Sequence, residues 1–143
     1  AEEIAAQRGS DLQEIVPEEA YTEEDLNYND DSCRANVEMN DPESRPAISN
    51  TIENLSDYDT IYIGYPIWWG SLPRIMNTFF DTYDFSGKTI VPFCTSGSSS
   101  ISQSVSVIKE AEPEAQIKEG LQVSSAGADD SSDEVSRWIE EIK

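Results

Sequence analysis

Histidine is absent from the 143-residue chain, and basic side chains are scarce: nine Lys and Arg stand against 29 Asp and Glu, for a formal net charge of -20. Without histidine, serine-histidine catalysis is impossible within the chain. The two cysteines, Cys33 and Cys94, are far apart. They make neither a disulfide framework nor, without histidine, a zinc site. The shortage of Lys and Arg excludes nucleic acid as a partner, since phosphate binding needs clustered cations, and it disfavours an anionic membrane surface. No apolar run reaches membrane-spanning length and no signal-peptide pattern is present. A cytoplasmic location is therefore expected. The length is that of a single domain, residues 1–143, with a core able to bury about two-thirds of the unfolded surface without staples. The acidity keeps the chain soluble; it would also steer a basic partner toward it.

What is present is an alternation of apolar patterns. "AEEIAAQRG" has helical spacing at Ala1, Ile4 and Ala5, with Gly9 as C-terminal cap and no N-cap before it. It reads as the back half of a helix, in a chain truncated or processed at its N-terminus. "LQEIVP" (Leu12 to Pro17) reads as a short strand. From Tyr21 to Tyr58 the chain is polar and acidic, with short helices expected at Ser32 to Met39 and Ile52 to Leu55. "TIYIGYP" is a buried-strand run closed by Gly and Pro. Ile75, Met76, Phe79, Phe80 and Tyr83 then make one apolar helical face. "TIVPFC" is a second strand, although Pro92 cannot donate to a central ladder. Ile101, Val105 and Ile108 mark a helix ending near Pro113. "IKEGLQVS" reads as a third strand and "AGADD" as a loop. Ser131 and Glu134 form a candidate capping box before the final helix, with apolar Val135, Trp138, Ile139 and Ile142. Strand and helix thus alternate from Asp59 onward. That order predicts right-handed crossovers and an open parallel α/β sheet with helices on both faces.

In such sheets ligands bind beyond the carboxyl ends of the strands. Two loops leave those ends, "YPIWWGS" and "TSGSSS". Trp68 and Trp69 offer flat faces and Gly70 a close backbone approach. Thr95, Ser96 and Ser98 offer hydroxyls, and Gly97 backbone N–H at short range. A tryptophan after a strand often only packs under a loop, and a serine run often only starts a helix. The pair of tryptophans beside the Ser/Gly loop instead suits a planar ring with polar edges. Cys94 reads as a small buried hydrophobe, Arg74 as a surface residue, and the Ile75, Phe79, Tyr83 stripe as core.

The segment "DYDTIYIGYPIWWGSLPRIMNTFFDTYDFSGKTIVPFCTSGSSSISQSVSVIKE" resembles the flavodoxin-like proteins, which carry "GYPIWWG" after the third strand and "PFCTSG" after the fourth. The likeness extends over essentially the whole chain. It implies a three-layer α-β-α fold with strand order 2-1-3-4-5 and FMN as ligand. The isoalloxazine ring is then expected between Pro66, Ile67, Trp68, Trp69, Gly70 and Thr95, Ser96, Gly97, Ser98. The resemblance implies electron transfer, with a redox partner protein or a small electron acceptor; carrier and quinone-type reductase are both open. Ala1 matches the middle of the family's first helix, so the first strand and the phosphate-cradling loop are missing by this reading. Ser98 stands where the family has a second glycine. The gap predicts a homodimer through an unpaired strand edge. A stacking platform without redox activity and a cofactor-free domain are the alternatives.

Overall fold

Branched and aromatic residues fit the pleated surface of a sheet, and the two runs richest in them form β1 (Thr60–Pro66) and β2 (Thr89–Ser96). The computed structural model describes residues 1–97 and 99–142, apart from the Asp129 side chain. β1 and β2 run parallel in register, from Thr60 beside Thr89 to Pro66 beside Thr95. On the other side of β2 lie two short parallel strands end to end, β3 (Gln116–Ile117) and β4 (Leu121–Ser124). "IKEGLQVS" is thus one lane of the sheet interrupted once. Ile90 pairs with Ile117 but Phe93 with Leu121, so this lane holds one residue more than β2. The bulge lies opposite Pro92. Backbone bonds from Gln116 to Lys88 and from Lys118 to Ile90 show that even-numbered positions of β2 face this lane. The donor that Pro92 lacks therefore points into the gap, which is how a proline survives in a central strand.

Helices cover both faces. On one, α3 (Arg74–Thr82) and α4 (Ser102–Ala111) bury Ile75, Met76, Phe79, Phe80 and Ile108 against Ile63, Tyr65, Ile90 and Cys94. On the other, Ile4 of α1 (Glu2–Arg8) joins Val135, Trp138 and Ile139 of α5 (Ser132–Glu141) over Val91, Leu121 and Val123. The Trp138 ring N–H donates to the Glu119 carbonyl at 3.0 Å, supplying the partner that a buried indole needs. α1 ends as its sequence predicts, with Gly9 at φ 62°. The helix expected within residues 32–39 is α2 (Arg34–Asn40).

Several expectations fail. "LQEIVP" is no strand of the sheet: residues 11–16 are irregular, and only Pro17 makes an isolated antiparallel bridge, to Ile48. Leu12 is exposed, and of this run only Ile15 packs on the core, so there is no buried face to fix a strand. The Asn50 side chain instead holds the segment, bonding to Val16 N–H and Glu14 C=O. Ile52 to Leu55 gives only a 3₁₀ turn at Leu55–Asp57, and "AGADD" falls within a 3₁₀ turn at Ser125–Asp130. The Ser131 capping box does not form, because that hydroxyl donates to the Ala128 carbonyl. Arg74 is not a free surface residue: its guanidinium donates to the Glu38 and Met39 carbonyls, tying α3 to α2.

Candidate functional site

The parallel register brings the two carboxyl-edge loops side by side. Pro66 lies beside Thr95, and the Ile67 N–H donates to the Thr95 carbonyl at 3.1 Å, continuing the ladder past the strand end. Beneath the loops, the Tyr65 hydroxyl and Ser104 Oγ of α4 are 2.9 Å apart. Burial pushes the Tyr65 phenol up to about 12 and the Cys94 thiol up to about 11. Both stay protonated at neutral pH, so Cys94 is the inert hydrophobe its sequence context predicts, not a nucleophile.

Residues 68–71 form a tight hairpin. Trp68 N–H donates to the Ser71 carbonyl at 2.8 Å and Ser71 N–H returns to Trp68 at 2.9 Å. The two residues between them, Trp69 at φ 51° and Gly70 at φ 74°, are both left-handed, as a primed two-residue turn requires. Glycine adopts this freely. For tryptophan it costs about 1–2 kcal/mol, and Trp69 is the one non-glycine residue with positive φ among those described. Its side chain is 51 % exposed at the rim. Trp68 is half-buried and meets the Tyr21 ring edge-on, centroids 5.4 Å apart.

In the second loop Thr95 and Gly97 are exposed, and nothing lies within 4 Å of where a Cβ on Gly97 would sit. Ser96 is buried, unlike its neighbours Thr95 and Gly97. Ser98 lies outside the described residues. Ile67 packs on the core beneath the loop. The two loops thus adjoin at Pro66, Ile67 and Thr95, and Trp69, Thr95 and Gly97 are exposed.

Four participants escape a reading of the sequence. Gln103 of α4 reaches the turn, its Oε1 3.2 Å from the position a Cβ on Gly70 would take. Tyr21, Arg34 and Glu38 stand behind Trp68. The Tyr21 hydroxyl donates to Glu38 Oε1 at 2.6 Å, and Arg34 Nε donates to Glu38 Oε2 at 3.0 Å. Burial, then the bond to Glu38, pushes the Tyr21 phenol well above its ordinary range. The i, i+4 spacing of Arg34 and Glu38 was the available signal; their long-range partner Tyr21 had none.

The fit to a cofactor is partial. An exposed indole in one loop and an open glycine in the adjoining loop suit a planar, polar-edged ring. Among the described residues, the first turn of α1 does not suit a phosphate: it carries Glu2 and Glu3, whose charge opposes an anion at that helix start. No group of three or more His, Cys, Asp or Glu able to hold a metal exists among the described residues, and no described helix is long and apolar enough to cross a membrane.

An open parallel sheet with helices on both faces defines the doubly wound class of small α/β proteins. Within that class the chain belongs to the flavodoxin family, whose model, described as "Flavodoxin", matches residues 1–142. Two similar crystal structures, each named "putative flavoprotein", come from Bacteroides eggerthii and Bacteroides uniformis. The first is 42% identical with TM-score 0.88, covering 99% of this chain and 86% of that one. The second is 42% identical with TM-score 0.90, covering 97% and 86%. A flavoprotein in complex with FMN from Lactobacillus acidophilus is 24% identical with TM-score 0.60, covering 94% of this chain and 87% of that one; this likeness concerns the fold. No curated protein sequence matches the chain.

Proposed function

We propose that this chain is an FMN-type flavoprotein of electron transfer, with the flavin ring held between residues 66–70 and 95–97. One observation supports the reading: a strained turn leaves Trp69 half-exposed, and the strand that leads into it ends with Pro66 beside Thr95, at the start of the loop that carries Gly97. Trp69 would cover a face of the ring, and the backbone of Thr95 to Gly97 would bond its polar edge. Gln103 would close the side at Gly70. Bound there, a flavin supplies one- or two-electron transfer; the protein supplies orientation and electrostatics. The aromatic wall and the net charge of -20 make added negative charge unfavourable, which lowers the potential of a ring so held. No side chain of the site is assigned as a catalytic acid or base. The electron partner is a redox protein or a small acceptor.

The same exposed indole would also serve a non-redox platform for a sugar ring. Difference spectra separate the two. Adding riboflavin or FMN to the protein should shift and structure the visible flavin band, and dithionite should bleach it. Absence of any shift at saturating flavin, with tryptophan quenching by carbohydrate instead, contradicts the flavin reading.

A further inference from the structure

A pile of side chains stands behind the turn. The Arg34 guanidinium carbon lies 3.8 Å from the centre of the Tyr21 ring. Arg34 is itself tied down, Nη1 donating to the Glu19 carbonyl at 2.7 Å and Nε to Glu38 at 3.0 Å. The Tyr21 hydroxyl is held by Glu38 at 2.6 Å. Glu38 sits on α2, which Arg74 fastens to α3 through the Glu38 and Met39 carbonyls at 3.2 and 2.9 Å. Tyr21 is thus fixed at its hydroxyl and over its face, and its ring then contacts Trp68 at 80°.

Left-handed backbone at a bulky residue persists only where the surroundings over-determine it. The two hairpin bonds fix the ends of the 68–71 turn. They do not stop Trp68 from rotating and the turn from relaxing to a conformation that draws Trp69 in. We propose that Tyr21 is the positioning residue of the site: clamped by Arg34 and Glu38, it holds Trp68 and thereby forces Trp69 into its exposed, ligand-facing conformation. Its role in ligand affinity rests on the flavin reading above; its control of Trp69 does not.

A double-mutant cycle in riboflavin affinity tests the first part, riboflavin being chosen because it lacks the phosphate. Y21A should weaken binding about tenfold, the loss of one aromatic contact. In combination with W69A it should add nothing, because it acts through Trp69. Y21F, which keeps the ring, should restore most of the affinity. Equal weakening by Y21A with and without W69A would show a general structural effect and overturn the proposal. If Y21A does not fold, R34Q, which removes the guanidinium over the Tyr21 ring and leaves only its bond to Glu38, takes its place, with weakening in the same direction but smaller and again absent in combination with W69A. The second part is read without flavin. In protein labelled with 5-fluorotryptophan, Y21A should move or broaden the fluorine signal of Trp69 and leave that of Trp138 in place. An unmoved Trp69 signal overturns the proposal even if riboflavin binds. A shifted signal in a chain that binds no flavin upholds the clamp and sinks only the flavin reading.

Discussion

Trp69 occupies a backbone conformation that asparagine adopts at far less cost, and Asn-Gly is the favoured pair for a primed turn. Trp69→Asn, which sets Asn before Gly70, should therefore stabilise the ligand-free protein by about 1 kcal/mol, raising Tm by about 3 °C. The same change should weaken flavin binding, since the exposed ring is gone. Calorimetry with a riboflavin titration checks both; a lower Tm, or unchanged affinity, contradicts this account of the turn. The turn itself was legible in "PIWWGS", because Gly70 and Pro66 punctuate it. The division between the two tryptophans was not. It depends on the sign of φ at Trp69 and on Tyr21, 47 positions from Trp68 in sequence.

At the scale of elements, β1 and β2 were legible because apolar, β-branched runs of that length have few alternatives, and α3 and α5 because their apolar faces repeat at helical spacing. "LQEIVP" misled because a short alternating run carries no information about whether a partner exists. Of residues 21–58 only the helix at α2 was legible; the rest was not, because side-chain-to-backbone bonds hold it, such as those of Asn36 to the Tyr28 and Asp30 carbonyls. Pro92 argued against a central strand until the bulge opposite it was seen. That bulge leaves Gly120 packed tightly: a Cβ there would lie 2.7 Å from Ile101 Cδ1 and 3.2 Å from the Pro92 carbonyl oxygen. Gly120→Ala should cost about 1–3 kcal/mol in urea denaturation; a neutral effect would mean the bulge is loose. The β1–β2 pair also predicts an alkaline weakness, since Tyr65 and Cys94 are register partners. Burial raises the thiol from 9.0 to about 11 and the phenol from 10.0 to about 12. The unfolded chain gives up both protons first, so the stability present below pH 9 declines as pH rises and is lost through pH 11–12. The combined loss by pH 11 should be on the order of a few kcal/mol. Urea midpoints at pH 8 and 11 under reducing conditions test it. The Tyr65→Phe, Cys94→Ala double variant should lose less; an equally steep loss would place the cause elsewhere.

At the scale of the whole molecule, the outer edge of β1 has no strand partner among the described residues. Backbone bonds from Thr89 to Asp59 and from Ile67 to Thr95 set the odd-numbered groups toward β2, leaving those of Tyr62 and Gly64 facing outward. Such an edge invites pairing with a second copy, which the charge of -20 opposes at low salt. Residues 1–143 should therefore move toward a dimer in light scattering as salt rises and screening shortens. A monomer at every salt and protein concentration would show that the edge is not available. The central proposal, a ring site between residues 66–70 and 95–97 with no matching phosphate site among the described residues, has a more direct test. It is an equilibrium titration of flavin fluorescence with FMN and riboflavin in parallel, on the wild type and on W69A. The account predicts saturable quenching by both flavins with nearly equal Kd, and at least about tenfold weaker binding of both to W69A. No saturable quenching, affinity indifferent to W69A, or FMN bound far more tightly than riboflavin would contradict it.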